Sequence, residues 1–160
     1  MSENEGLRVA FKSSEFSEAI KEFRGVIVDA DFSEEPFGIK GAPDIERRGP
    51  QLCLKIMTEV YEKPQYAWFP PSNKKKTKWW YFIEALEKSG AMADIRIEGE
   101  TEEERMKSFM ESLIGMEFYW QEKEVEILGG RKTARVLLPV VYYGKKQIGQ
   151  IKEEEITEGI

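Results

Sequence analysis

The chain has 160 residues, of which 41% are hydrophobic, 34% charged and 12% aromatic, with a formal net charge of −6. That length suits one domain with tails, and the apolar share is enough for a core, which argues against global disorder. A single cysteine, Cys53, excludes an intramolecular disulfide framework, and a chain without histidine lacks the commonest general base and metal ligand.

No stretch approaches the roughly 20 uncharged apolar residues that span a bilayer. The segment Met1-Ser2-Glu3-Asn4-Glu5 has neither the basic nor the apolar region of a secretory signal. No membrane contact and a reducing, cytoplasmic location are therefore expected. Charge is laid out in blocks. Residues 1–46 hold 11 acids and 5 bases, residues 47–90 hold 9 bases and 4 acids, and residues 91–128 hold 11 acids and 4 bases. A basic middle flanked by acidic segments either makes a local positive surface or is neutralised within the fold.

In chain order, residues 1–22 read as a polar lead-in, with a short helix over Ser14–Phe23. Gly25 to Phe32 alternates as a half-buried strand, with Val26, Val28, Ala30 and Phe32 on one face and Asp29 and Asp31 on the other. Residues 33–50 carry Pro36, Gly38, Gly41, Pro43, Gly49 and Pro50, which marks a long loop ending near Arg47 and Arg48. Gln51 to Tyr61 alternates again, with Leu52, Leu54 and Ile56 set against Cys53, Lys55 and Met57. A third strand covers Gln65–Phe69, and Pro70-Pro71 ends it.

The run Ser72 to Thr77 is a lysine-rich loop that offers helix N-caps. A helix is expected from about Lys78 to Ser89, with Trp79, Ile83 and Leu86 on one side and Gly90 as its stop. Thr101-Glu102-Glu103-Glu104 fits a capping box, and Met106, Phe109, Met110, Leu113 and Ile114 behind it have helical spacing. Met116 to about Ile127 and Arg131 to Tyr143 read as a hairpin turned by Gly129-Gly130. Val136, Leu138, Val140 and Tyr142 are expected on one face, and Pro139 marks an edge or a bulge. Trp79, Phe82, Phe118 and Trp120 are expected in the core. Residues 147–160 form an acidic tail.

The order of three strands, a helix, a second helical segment and two strands makes the chain mainly β with helices (α+β). A five-stranded antiparallel Greek-key barrel of the OB-fold type over residues 23–146, with helices between strands 3 and 4, fits that order. An open sheet covered by two helices fits it as well.

Two groups of residues carry candidate chemistry. Single-strand binders need cations along the backbone and rings on which bases stack. With Leu52, Leu54 and Ile56 inward, Lys55 points outward. If Tyr66 and Trp68 also point outward, they flank Lys55, with Lys74, Lys75, Lys76 and Lys78 beyond. Arg131, Lys132 and Arg135 would extend the basic surface, Tyr119 would add a ring, and Arg47 and Arg48 complete the set. The same rings would serve equally well as core.

The segments Gly25-Val26-Ile27-Val28-Asp29-Ala30, Leu52-Cys53-Leu54-Lys55-Ile56, Trp80–Gly90 and Leu113-Ile114-Gly115-Met116-Glu117-Phe118 resemble phage-encoded OB-fold single-stranded-DNA-binding proteins over about residues 23–144. The resemblance implies binding of single-stranded DNA, or RNA, in replication or recombination, without catalysis or cofactor. The tail Glu153–Ile160 resembles the acidic tails by which such proteins recruit partner enzymes.

Other functions are expected less. A protein-interaction or assembly subunit would use the same rings at an interface. A metal-dependent nuclease would use Asp44 with the Cys53-Leu54-Lys55 strand, but Cys53 stands where a second carboxylate is needed. Asp29 and Asp31 could ligate Mg²⁺. Cys53 has no histidine to activate it as a nucleophile.

Overall fold

A computed structural model describes residues 21–39 and 49–146. Five strands form one antiparallel sheet in the order β3-β2-β1-β4-β5. They are β1 at Lys21–Ser33, β2 at Gln51–Thr58, β3 at Gln65–Phe69, β4 at Met116–Ile127 and β5 at Lys132–Lys145. Two helices, α1 at Lys78–Ser89 and α2 at Glu102–Leu113, lie between β3 and β4 in sequence. Among the described residues the fold is therefore mainly β with two helices, as expected.

The closed barrel is not formed. The edges β3 and β5 come near each other but are not hydrogen-bonded neighbours, so the sheet stays open. Pro139 gives β5 no N–H at that position, and α1 packs along the same strand. The expected helix over Ser14–Phe23 also needs correction: Lys21–Phe23 belong to β1, and the rest of that span lies outside the described residues, as does the acidic tail. No helix among the described residues is long and apolar enough to cross a membrane.

β1 is shared between two partners. Its first half, Lys21 to Val26, pairs with β4, while Gly25 to Ser33 pairs with β2. The register shifts between Ile27 and Asp29, leaving Val28 as the extra residue. Such a bulge reverses the facing of everything after it. Phe23 and Ile27 face the core before it, and Ala30 and Phe32 lie on the core side after it, opposite Leu54 and Leu52. The expected common face of Val26, Val28, Ala30 and Phe32 is thus broken in the middle. β5 departs in the same way: the register shifts between Tyr119 and Trp120, and Val136, Leu137, Leu138 and Pro139 are buried in succession.

Both helices have caps written in the sequence. The Thr77 hydroxyl accepts from the Trp80 N–H at 3.2 Å, and Gly90 closes α1 at φ 87°. In α2 the Thr101 hydroxyl accepts from the Glu104 N–H at 3.0 Å, while the Glu104 carboxylate accepts from the Thr101 N–H at 3.3 Å. The helices place rings over the core side of the sheet. Phe82 of α1 stacks on Phe69 of β3 at 4.1 Å between centroids, and Phe109 of α2 meets Trp79 edge-on at 5.9 Å.

Gly25, where β1 passes from β4 to β2, has no room for a side chain. A Cβ there would lie 2.6 Å from Ile56 Cγ2 and 3.0 Å from the Met57 carbonyl oxygen. Ile56 is fully buried and cannot retreat. Gly25→Ala is expected to lower stability by about 1–3 kcal/mol, the usual cost of overpacking. Urea denaturation checks this, and an unchanged midpoint would show that the strands can part at this point.

Candidate nucleic-acid interface

The strand register decides which way the rings of β3 point. Ala67 and Phe69 are buried and pair with Leu54 and Leu52 on the core side. Tyr66 and Trp68 therefore lie on the opposite face, both half-buried. Their centroids are 6.3 Å apart with planes tilted by 38°. Across the sheet, Tyr66 pairs with Lys55 and Lys55 with Asp29, while Trp68 pairs with Cys53 and Cys53 with Asp31. One face thus holds two rings, one lysine and two carboxylates in neighbouring rows.

Lys74, Lys75 and Lys76 are exposed in the turn that follows β3. The Ser72 hydroxyl accepts from the Lys74 N–H at 3.1 Å, and the Thr77 hydroxyl donates to the Lys74 carbonyl at 3.2 Å. Lys76 takes a left-handed φ of 58°. These bonds fix the turn while leaving three ammonium groups in solvent. Lys78 does not belong with them: as the first residue of α1 it is 8% exposed. Its position on the helix turns it inward, which spacing along the chain could not reveal.

The other candidates fall elsewhere. Arg47 and Arg48, together with Asp44, lie outside the described residues. Arg131, Lys132 and Arg135 are exposed at and after the β4–β5 turn, where the Arg131 Nε–H donates to the Leu128 carbonyl at 3.0 Å. β3 runs parallel to β1, whereas β4 runs against it, beyond Lys21. The β4–β5 turn is therefore at the strand ends opposite to the lysine turn. Tyr119 is half-buried on β4, in register with Arg24 and Val141, three strands from Tyr66.

A separate charge cluster holds β1 to β4 and β5. The Arg24 Nε–H donates to Glu117 Oε2 at 2.8 Å, Lys146 Nζ lies 3.6 Å from Glu117 Oε1, and the Arg24 guanidinium sits 3.9 Å from the Tyr143 ring centroid. Burial pushes the Glu117 carboxyl up, but the Arg24 bond and the charges of Lys146 and Arg24 outweigh it and hold the group below its ordinary value. A carboxyl depressed in the folded state stabilises the fold above its unfolded-state value, about 4.3. That contribution disappears as pH falls through the lower folded value. Glu117→Gln is therefore expected to flatten the acid limb of the stability curve below about pH 4, measured by urea midpoints from neutral to acid pH; an unaltered limb would contradict it.

One contributor went unread in the sequence. The β1–β2 loop begins with a tight turn, Pro36–Gly38, in which Pro36 is buried. The Asp31 carboxylate accepts from the Phe37 N–H at 2.6 Å. The Phe37 ring lies 5.7 Å from that of Tyr66. The available signal was the pair Asp31 and Pro36-Phe37-Gly38, an acid placed to accept a backbone N–H from the turn. Cys53, in the same row as Asp31, is fully buried. Burial and the Asp31 charge push its thiol far above the usual range, so it stays protonated, with no nucleophilic character.

Among the described residues, no three His, Cys, Asp or Glu side chains gather to hold a metal ion. No family model matches the chain, and no curated protein or solved structure matches it significantly.

Proposed function

We propose that this chain binds single-stranded nucleic acid, DNA in the first instance, as a non-catalytic protein of replication or recombination. One observation carries the reading: Tyr66 and Trp68 stand half-buried on the face away from the core, beside Lys55 and one turn before three solvated lysines. Ring faces take bases of any sequence, and lysines follow the phosphates. Centroids 6.3 Å apart lie at nearly twice the 3.4 Å rise per base along a duplex strand. Rings so spaced suit bases splayed along an extended single strand.

The strand pairing favours the same reading. β1 pairs with both β2 and β4, the helices enter between β3 and β4, and the sheet edges approach each other. These features agree with a partly open OB-type barrel, in which the face of strands 2 and 3 is the binding surface. The carboxylates of Asp29 and Asp31 weaken the local positive field, so stacking contributes a large share of the affinity.

Gel shifts with a fluorescent poly-dT oligonucleotide and with duplex DNA test this directly. The single strand is expected to bind more tightly. If Lys55 and Lys74–Lys76 each neutralise one phosphate, raising salt from about 50 to 200 mM lowers affinity about 50-fold. Equal binding of the duplex, or no binding at low salt, would overturn the proposal. A second reading, a protein-assembly subunit, has Val141 and Tyr143 in its favour, at 46% and 43% exposure on the edge strand β5. A stable homo-oligomer that ignores nucleic acid would support it.

A further inference from the structure

We infer that Phe37 is a third stacking ring of this site, held in place by Asp31, so that the start of the β1–β2 loop forms part of the binding surface. The inference rests on the nucleic-acid reading above. Three rings form a continuous row, Phe37 to Tyr66 at 5.7 Å and Tyr66 to Trp68 at 6.3 Å. The first comes from a loop and the other two from a strand. The row therefore exists only if the loop is tied down over the sheet.

Two contacts tie it. Pro36 is buried, and the Asp31 carboxylate accepts from the Phe37 N–H. Asp31 is placed for this by the register: it follows the β1 bulge, which turns Asp29 and Asp31 onto the face of Tyr66 and Trp68. An acid on a surface meant for phosphates is otherwise an obstacle. Here it also supplies the acceptor for the Phe37 N–H, which fixes a ring beside Tyr66.

Phe37 also has a left-handed backbone, φ 57°, a region that bulky residues seldom enter. Glycine would sit there without strain, as Gly38 does next to it at φ 74°. An aromatic residue kept in a conformation that suits glycine points to a use for its ring.

Binding of fluorescent dT15 and of an abasic backbone probe of the same length separates the possibilities. Phe37→Ala and Phe37→Gly are expected to weaken dT15 binding by about 5- to 150-fold, the range for one lost stacked base. Both should leave the abasic probe unaffected, and Phe37→Gly, which relieves the backbone, should melt within a few degrees of the wild type. Phe37→Trp should retain affinity. Asp31→Asn keeps an acceptor for the Phe37 N–H and removes a negative charge, so its dT15 binding should equal or exceed that of the wild type. Asp31→Ala removes the acceptor, and its binding should fall towards that of Phe37→Ala. If Asp31→Ala instead strengthens binding as Asp31→Asn does, Asp31 acts only as a repelling charge and the inference fails. It fails alone if Trp68→Ala weakens dT15 binding while Phe37→Ala and Phe37→Gly do not. If the wild type binds dT15 no better than the abasic probe, the nucleic-acid reading fails with it.

Discussion

Trp120→Ala is expected to remove about 3–5 kcal/mol of stability, the usual cost of truncating a large buried aromatic. Trp120 is fully buried on β4, between Phe23 of β1 and Pro139 of β5 in the register, and it meets Phe118 edge-on at 5.3 Å. Its indole N–H also donates to the Gly25 carbonyl at 3.1 Å, at the point where β1 changes partners. Truncation therefore leaves both a void and a buried carbonyl without its partner, the latter worth about another 1–3 kcal/mol. Against a total of about 5–15 kcal/mol for a typical domain, the variant should be largely unfolded or lose its cooperative transition. Trp120→Phe separates the two contributions, since it keeps most of the packing and loses only the hydrogen bond. Its urea midpoint should fall between those of the wild type and the alanine variant. A Trp120→Ala protein that melts like the wild type would mean that β1 and β4 are held by something other than this core.

The second large effect is on binding. Tyr66→Ala and Trp68→Ala should each lower affinity for poly-dT by about 1–3 kcal/mol, while folding stability changes far less than in Trp120→Ala. The rings are half-buried on the face away from the core and are not part of the core cluster, so removing them empties no core volume. Because the rings are neighbours, the double variant should depart from simple additivity. Replacing Lys74, Lys75 and Lys76 together by glutamine should act differently. It should reduce the salt slope by about two, at roughly 0.7 per phosphate contact on a single strand. The ring variants should lower affinity at an unchanged slope. If the ring variants flatten the salt dependence, or the lysine variants leave it intact, the division of labour between stacking and charge is wrong.

Much of the fold was legible because its signals are local. Period-two alternation gave β2 its inward set of Leu52, Leu54 and Ile56, all fully buried. The Thr77 and Thr101 caps and Gly90 bounded the helices, since each is a short-range hydrogen bond or backbone preference. What failed was non-local. The bulge at Val28 parts Val26 from the face of Ala30 and Phe32 and puts Ile27 on the core side instead, which only the pairing of Val26 with Met57 and Ile27 with Ile56 reveals. Whether five strands close into a barrel depends on how β3 and β5 meet, far apart in sequence, and the sheet is open.

The candidate site divides along the same line. Tyr66, Trp68 and Lys55 share a face because alternation along β2 and β3 puts them there. The lysines looked equivalent in sequence, yet Lys74–Lys76 are solvated and Lys78 is buried at the start of α1. Arg131, Lys132 and Tyr119 could be joined to the rings only by guessing the sheet order, and the register puts them elsewhere. Phe37 was invisible because glycine and proline marked its segment as a loop and nothing local said where that loop folds.

The most direct test is photochemical. A poly-dT strand carrying 5-bromodeoxyuridine, irradiated on the wild-type protein and mapped by peptide mass spectrometry, reports which side chains touch the bases. Cross-links should concentrate on Tyr66 and Trp68, with Phe37 beside them, and should disappear when duplex replaces the single strand. Adducts confined to Tyr119, Tyr143 or the Arg131–Arg135 strand, with none on β3, would place the bases on another surface and contradict the proposed interface.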